Sequence, residues 1–184
     1  ILLHAFYRGR EEFGEAFVAE VKNDMQDLGY NITNIEIQET KKGYGICVEE
    51  DGKYIVSQRE MSQGMFRTLS LFIQLIYVRL SKQSLCVLVD DMGEGLDYDR
   101  SKGLVNIFVK KLNQPNIQFF LTTNDRYVMN KVPLKYWTVI DRDKSSQSVF
   151  YNYENSKDIF EDFRYTGLNN FDFFTTDFFS KGFG

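Results

Sequence analysis

An apolar run, Leu85 to Val89, ends in two adjacent carboxylates, Asp90 and Asp91. Tyr98 to Leu112 then has helical periodicity, and a second apolar run, Ile117 to Thr122, follows it. Strand, helix, strand in this order constrains the fold more than any other part of the chain. Two strands joined by a helical crossover lie parallel, and the crossover is right-handed. In α/β sheets of this kind, ligands collect at the carboxyl ends of the strands. Asp90 and Asp91 stand at one such end, and Thr122-Thr123-Asn124 at the next. Paired carboxylates there suit a magnesium ion and a water molecule beside a phosphate.

The flanking segments supply layers for such a sheet. Glu11 to Leu28 reads as one amphipathic helix, with Phe13, Phe17, Val21 and Leu28 on its apolar face and Gly29 and Asn31 as the stop. Ile32, Ile35 and Ile37 predict a strand. Tyr44–Glu49 and Lys53–Ser57 flank Glu50-Asp51-Gly52, a hairpin signal. Gln63 to Leu80 has Met65, Leu69, Phe72, Ile73, Ile76 and Leu80 at helical spacing, and Leu71, Leu75 and Val78 widen that face. A surface so broadly apolar predicts a helix buried between other elements. Trp137–Asp141 and Val149–Tyr153 read as later strands, and Ser156–Arg164 as a helix. No repeat, linker or second domain boundary stands out. The predicted class is α/β.

Composition excludes several functions. With 184 residues, 43% of them hydrophobic, the chain can bury a real core. A net charge of −4 gives no general footprint for nucleic acid and leaves only a local patch to meet DNA. Cys47 and Cys86 lie in strand-like runs, which argues against a disulfide scaffold and for a cytoplasmic setting. Gln74 and Arg79 interrupt the longest apolar stretch, so no membrane span is expected. No signal peptide is visible. The sequence opens at Ile1, and the expectation is that it forms part of a longer protein.

Four local features carry candidate chemistry, each with an ordinary alternative. Met61-Ser62-Gln63-Gly64 precedes the buried helix. Ser62 can cap it, Gly64 allows close backbone approach, and the free N–H groups of a helix start favour a phosphate. Asp90-Asp91 is either a metal-and-water site or a solvated strand end. Gly95-Leu96-Asp97 is a turn and a helix cap, or part of a longer motif. At the end of the next strand, Asn124 either faces a phosphate or, with Thr123, caps a short helix.

In order and spacing these features resemble the second half of an ABC-type ATPase head. They are most similar to the SMC-like and overcoming-lysogenization-defect group of AAA ATPases, several of which act in anti-phage defence. The signature Leu-Ser-x-Gly corresponds to Met61-Ser62-Gln63-Gly64, with Arg67 on the first turn. The Walker B Asp-Glu corresponds to Asp90-Asp91, the D-loop Leu-Asp to Leu96-Asp97, and the switch Thr-Thr-His to Thr122-Thr123-Asn124. The resemblance covers roughly Leu28 to Tyr153.

It implies a parallel-sheet ABC-ATPase lobe with flanking helices and a β-hairpin before the signature helix. The chain would be the carboxyl-terminal portion of one such domain. Helix plus hairpin would occupy 1–60, the signature, Walker B and switch core 61–153, and an aromatic tail 154–184. The implied cofactors are ATP and Mg2+, with Asp90 on the metal and Asp91 and Asn124 as catalytic residues. Ser62, Gln63, Gly64 and Asp97 would contact ATP across a homodimer whose two heads sandwich the nucleotide.

Three departures from the pattern stand out. No phosphate loop of the G-x-x-x-x-G-K-[ST] type is present, Asp91 replaces a glutamate, and Asn124 replaces a histidine. His4, the only histidine, has no spacing to substitute for it. These departures favour ATP binding over fast hydrolysis and keep an ATP-sensing switch or scaffold as an alternative. A Toprim-like metal nuclease, using Asp141-Arg142-Asp143 with Asp90, is a further alternative. The phenylalanine-rich tail, Phe171 to Phe183, packs on its own domain or meets an effector protein.

Overall fold

A computed structural model describes residues 2–41, 43–82, 84–111 and 117–183. They form two compact units, Ile1–Thr122 and Thr123–Gly184. The boundary falls in an ordinary strand-to-helix turn, which carries none of the composition change that marks a linker.

The first unit opens with two helices, α1 (Leu2–Phe13) and α2 (Glu15–Asp27), where the periodicity predicted a single helix from Glu11. Gly14 makes the break. It sits at φ 66°, ψ −152°, a conformation open to glycine alone, so the helical ladder stops and restarts. β1 (Ile32–Thr40), β2 (Gly43–Glu50) and β3 (Tyr54–Ser57) form an antiparallel sheet in sequence order. The predicted hairpin is present. Asp51 and Gly52 are both left-handed, and the Lys53 N–H donates to the Glu50 carbonyl at 3.0 Å, closing the turn.

α3 (Gln63–Ser81) is the buried helix. Leu69, Phe72, Ile73, Leu75 and Ile76 are all nearly inaccessible, and α1 and α2 pack against it. Each such side chain contributes on the order of 2 kcal/mol by leaving water. β4 (Leu85–Val89), α4 (Tyr98–Lys111) and β5 (Ile117–Leu121) form the predicted unit, with β4 and β5 parallel and paired from Leu85↔Ile117 to Val89↔Leu121. Leu112, the predicted last residue of α4, lies outside the described residues. Phe108 of α4 packs edge-on against Phe119 of β5, with ring centroids 4.5 Å apart.

A polar cluster ties α2, α3 and α4 together. Lys111 pairs with Glu20 at 2.5 Å and Asp24 at 2.7 Å, and Arg79 pairs with Glu20. Burial pushes the Asp24 carboxyl above its ordinary range, and the Lys111 hydrogen bond opposes that shift. A raised carboxyl weakens the fold while ionised, and the penalty disappears as pH falls through the folded-state pKa. Lys111→Met removes the compensating cation. We expect it to destabilise the protein by about 2 kcal/mol at neutral pH, below the usual loss for a broken buried pair because Glu20 keeps Arg79. The loss should shrink as acid protonates Asp24. Urea unfolding at pH 7 and at about pH 3, below the ordinary carboxylate range, checks this, and an equal loss at both would mean that packing, not charge, sets it.

The second unit holds α5 (Arg126–Lys131), the antiparallel pair β6 (Thr138–Arg142) and β7 (Ser148–Asn152), α6 (Lys157–Asp162), α7 (Asn170–Thr175) and α8 (Phe178–Lys181). Its core is aromatic. Phe160, Phe163, Phe173, Phe178 and Phe179 are buried with Val139, and Trp137 and Tyr151 pack at the margin. The tail is pinned to this unit by two hydrogen bonds. The Phe171 N–H donates to Asn130 Oδ1 at 2.8 Å, and Asn170 Nδ2 donates to the Val132 carbonyl at 3.0 Å. Most of the tail's phenylalanine surface is therefore covered by its own domain, leaving Phe174 and Phe183 exposed.

Candidate functional site at the carboxyl end of β4

Beyond Val89 the chain turns sharply. Asp91 is left-handed at φ 49°, a state that Asp and Asn tolerate better than other side chains with a Cβ. Thr122, the residue after β5, holds this turn with four hydrogen bonds. Its N–H donates to the Val89 carbonyl, and its own carbonyl accepts from the Met92 N–H, both at 2.9 Å. Its hydroxyl accepts from the Asp91 N–H at 2.9 Å and donates to Asp90 Oδ1 at 2.5 Å. Asp90 and Asp91 are both exposed. They line an open cleft of about 450 Å³ bounded by α3 and β4.

The turn after Asp91 is locked to the start of α3. Ser62 caps α3, its hydroxyl accepting from the Met65 N–H at 3.2 Å. Ser62 and Gln63 are exposed, whereas Gly64 is buried. A Cβ on Gly64 would lie 2.3 Å from the Gly95 carbonyl oxygen, a backbone atom that cannot step aside, so no larger residue fits there unaltered. Arg67, one turn along α3, pairs with Glu94. Gly64 thus serves backbone packing within the chain, whatever else approaches it.

Asp97 heads α4, with its carbonyl accepting from the Ser101 N–H at 2.9 Å. Its carboxylate accepts the Arg100 N–H at 3.0 Å and pairs with the Arg100 guanidinium at 2.6 Å. The backbone N–H of Arg100 leads in holding this carboxyl below its usual range. Arg100 in turn lies over the Tyr30 ring, 4.3 Å from its centre.

Asn124 is exposed and belongs to the second unit, between β5 and α5. It does not cap α5, and neither does Thr123. Asp125 does so, accepting from the N–H groups of Tyr127 and Val128 at 2.7 and 3.0 Å. Asp141 and Asp143 lie in the β6–β7 hairpin of the second unit. The Asp143 carboxylate is engaged there by the Ser145 hydroxyl and the N–H groups of Ser145 and Gln147.

Structure brings Ser62, Gly64, Asp90, Asp91 and Asp97 onto the connected start of α3 and the β4–α4 turn. Sequence reasoning missed three of the contacts that hold them, namely the Thr122 clamp, the Gly64–Gly95 approach and the Arg67–Glu94 pair. The first was readable in principle, because parallel register places the residue after Leu121 opposite Asp90.

Among the described residues no group of three or more His, Cys, Asp or Glu side chains could hold a metal ion. Two carboxylates at a strand end still fit Mg2+, which keeps part of its water shell and takes the rest of its ligands from substrate phosphates.

Solved structures share this fold. A Pyrococcus yayanosii Smc head domain with coiled coil and joint matches 82% of the chain at TM-score 0.56 and 19% identity, over 29% of its own length. The fold is that of part of an SMC head. A Pyrococcus furiosus Smc head, solved bound to the C-terminal domain of ScpA, matches 82% at TM-score 0.54 and 15% identity, over 38% of its length. An SMC head bound to the C-winged helix domain of ScpA matches 78% at TM-score 0.57 and 18% identity, over 44% of its length. The chain therefore spans less than half the length of each of these three structures, and its fold is a parallel sheet with flanking helices, as in part of an SMC head. No protein-family model and no curated protein matches the sequence. Among the described residues no helix is long and apolar enough to cross a membrane.

Proposed function

We propose that this chain is the carboxyl-terminal portion of an ABC-type ATPase domain that binds and hydrolyses ATP in a nucleotide-gated dimer. The observation that carries the reading is the end of the parallel β4–β5 pair, where Asp90 and Asp91 are held by Thr122 in an SMC-head fold. Asp90 would hold Mg2+, and Asp91 would orient a water for in-line attack on the γ-phosphate. Mg2+ bound there neutralises charge that develops on the phosphate oxygens. Ser62, Gln63 and the α3 N-terminus would meet the γ-phosphate held by the opposing head, and Asp97 would reach the same interface. Asn124 would hydrogen-bond the γ-phosphate as a neutral donor.

The phosphate loop would come from an amino-terminal lobe. Cys86, Leu88 and Phe120 expose one apolar face of β4 and β5, with Leu88 77% accessible, and this face is the surface such a lobe would cover. DNA transactions or anti-phage defence is the setting the motif order favours. For an effector protein, Phe174 and Phe183 are the phenylalanines that the tail leaves exposed among the described residues.

A second reading, an ATP-sensing switch with little hydrolysis, is favoured by the left-handed backbone at Asp91. That backbone suits the shorter aspartate and disfavours the glutamate that would reach further toward a water.

The dimer is tested with Ser62→Arg in the full-length protein. Ser62 is exposed, and losing its cap costs about 1 kcal/mol, so the fold should survive. ATP-dependent dimerisation, followed by size-exclusion chromatography with light scattering, should be lost while each monomer still binds ATP. Dimers that persist unchanged would remove the α3 N-terminus from the interface.

A further inference from the structure

We infer that Thr122 is a positioning residue for the metal carboxylate: its hydroxyl occupies Asp90 Oδ1 and turns Oδ2 alone toward a bound cation. This rests on the reading of Asp90 as the Mg2+ residue. A threonine hydroxyl has one proton to donate and two lone pairs. Here the proton goes to Asp90 Oδ1 at 2.5 Å, and one lone pair takes the Asp91 N–H at 2.9 Å. Among the described residues Oδ2 accepts no hydrogen bond. One hydroxyl thus orients the Asp90 carboxylate and also holds the backbone of Asp91 in its left-handed turn.

The backbone bonds from Thr122 to Val89 and Met92 keep that hydroxyl in place. They also make the tip of β5 and the tip of β4 a single unit. A movement of β5 at Thr122 would change which Asp90 oxygen is presented. Removing the hydroxyl frees the carboxylate to rotate and leaves the Asp91 N–H to water. Groups behind a metal ligand that fix its orientation typically contribute 10–100-fold to metal affinity.

The test uses the full-length protein, with ATP and MgCl2 as the probe. The Mg2+ concentration that half-saturates binding of a fluorescent ATP is measured for the parent, Thr122→Val, Thr122→Ser and Asp90→Asn. Thr122→Val should raise it about 10–100-fold, and Thr122→Ser, which keeps the hydroxyl, should stay within about threefold of the parent. Asp90→Asn should shift it at least as far as Thr122→Val. If Thr122→Val is unchanged while Asp90→Asn shifts, the positioning role is wrong and the metal assignment stands. If Asp90→Asn is also unchanged, the metal assignment fails and the positioning role fails with it. Should Thr122→Val not fold, Thr122→Ala against Thr122→Ser isolates the same hydroxyl, and equal Mg2+ dependence in that pair overturns the inference.

Discussion

Asp91→Asn in the full-length protein should lower ATP turnover about 100-fold or more and leave ATP binding intact, because a positioned general base typically contributes 10²–10⁴ to rate. The variant isolates chemistry from folding unusually well. Asparagine tolerates the left-handed backbone at φ 49° as readily as aspartate does, and its N–H can still donate to Thr122. It keeps an oxygen that can accept a hydrogen bond from water, but it cannot take a proton. Phosphate release under single-turnover conditions, together with equilibrium binding of ATP, checks the result. Hydrolysis at the parent rate would remove Asp91 from the reaction. A parent that already turns over as slowly as the variant would favour the ATP-sensing switch.

The central architecture was legible because its signals are local and mutually consistent. The breadth of the apolar face on Gln63–Leu80 could only mean a helix covered on several sides, and α1 and α2 supply that cover. The Asp51-Gly52 turn specified a hairpin from backbone sterics alone. The strands around Asp90 and Thr122 could pair only in parallel, since a helix separates them.

What stayed hidden depended on contacts between distant residues. Gly64 looked like a point of approach for a ligand, and only the fold shows the Gly95 carbonyl already at its Cβ position. Asp97 already read as a helix cap, and what the fold adds is its pairing with the Arg100 guanidinium. The break at Gly14 was hidden by helical periodicity on both sides of it. The role of Asn124 rests on a residue type that departs from the pattern it resembles. Its chemistry follows from the neutral amide rather than from any local spacing.

Phe173→Ala should destabilise the second unit by about 3–5 kcal/mol, the usual result of deleting a buried phenylalanine. Phe173 is fully inaccessible, and its ring lies within 6.4 Å, centre to centre, of Trp137, Phe160, Phe163, Phe178 and Phe179. A cavity there removes contacts with α6, α8 and the segment before β6 at once. Phe183 is the control. It is 66% exposed at the end of the same tail, so Phe183→Ala should fall within about 0.5 kcal/mol of the parent, as for most surface changes. Limited proteolysis of the full-length protein should show cleavage moving into 123–184 for Phe173→Ala only. Were the phenylalanines of the tail held out for a partner rather than packed inward, both variants would leave the protease pattern unchanged and would differ only when that partner is added.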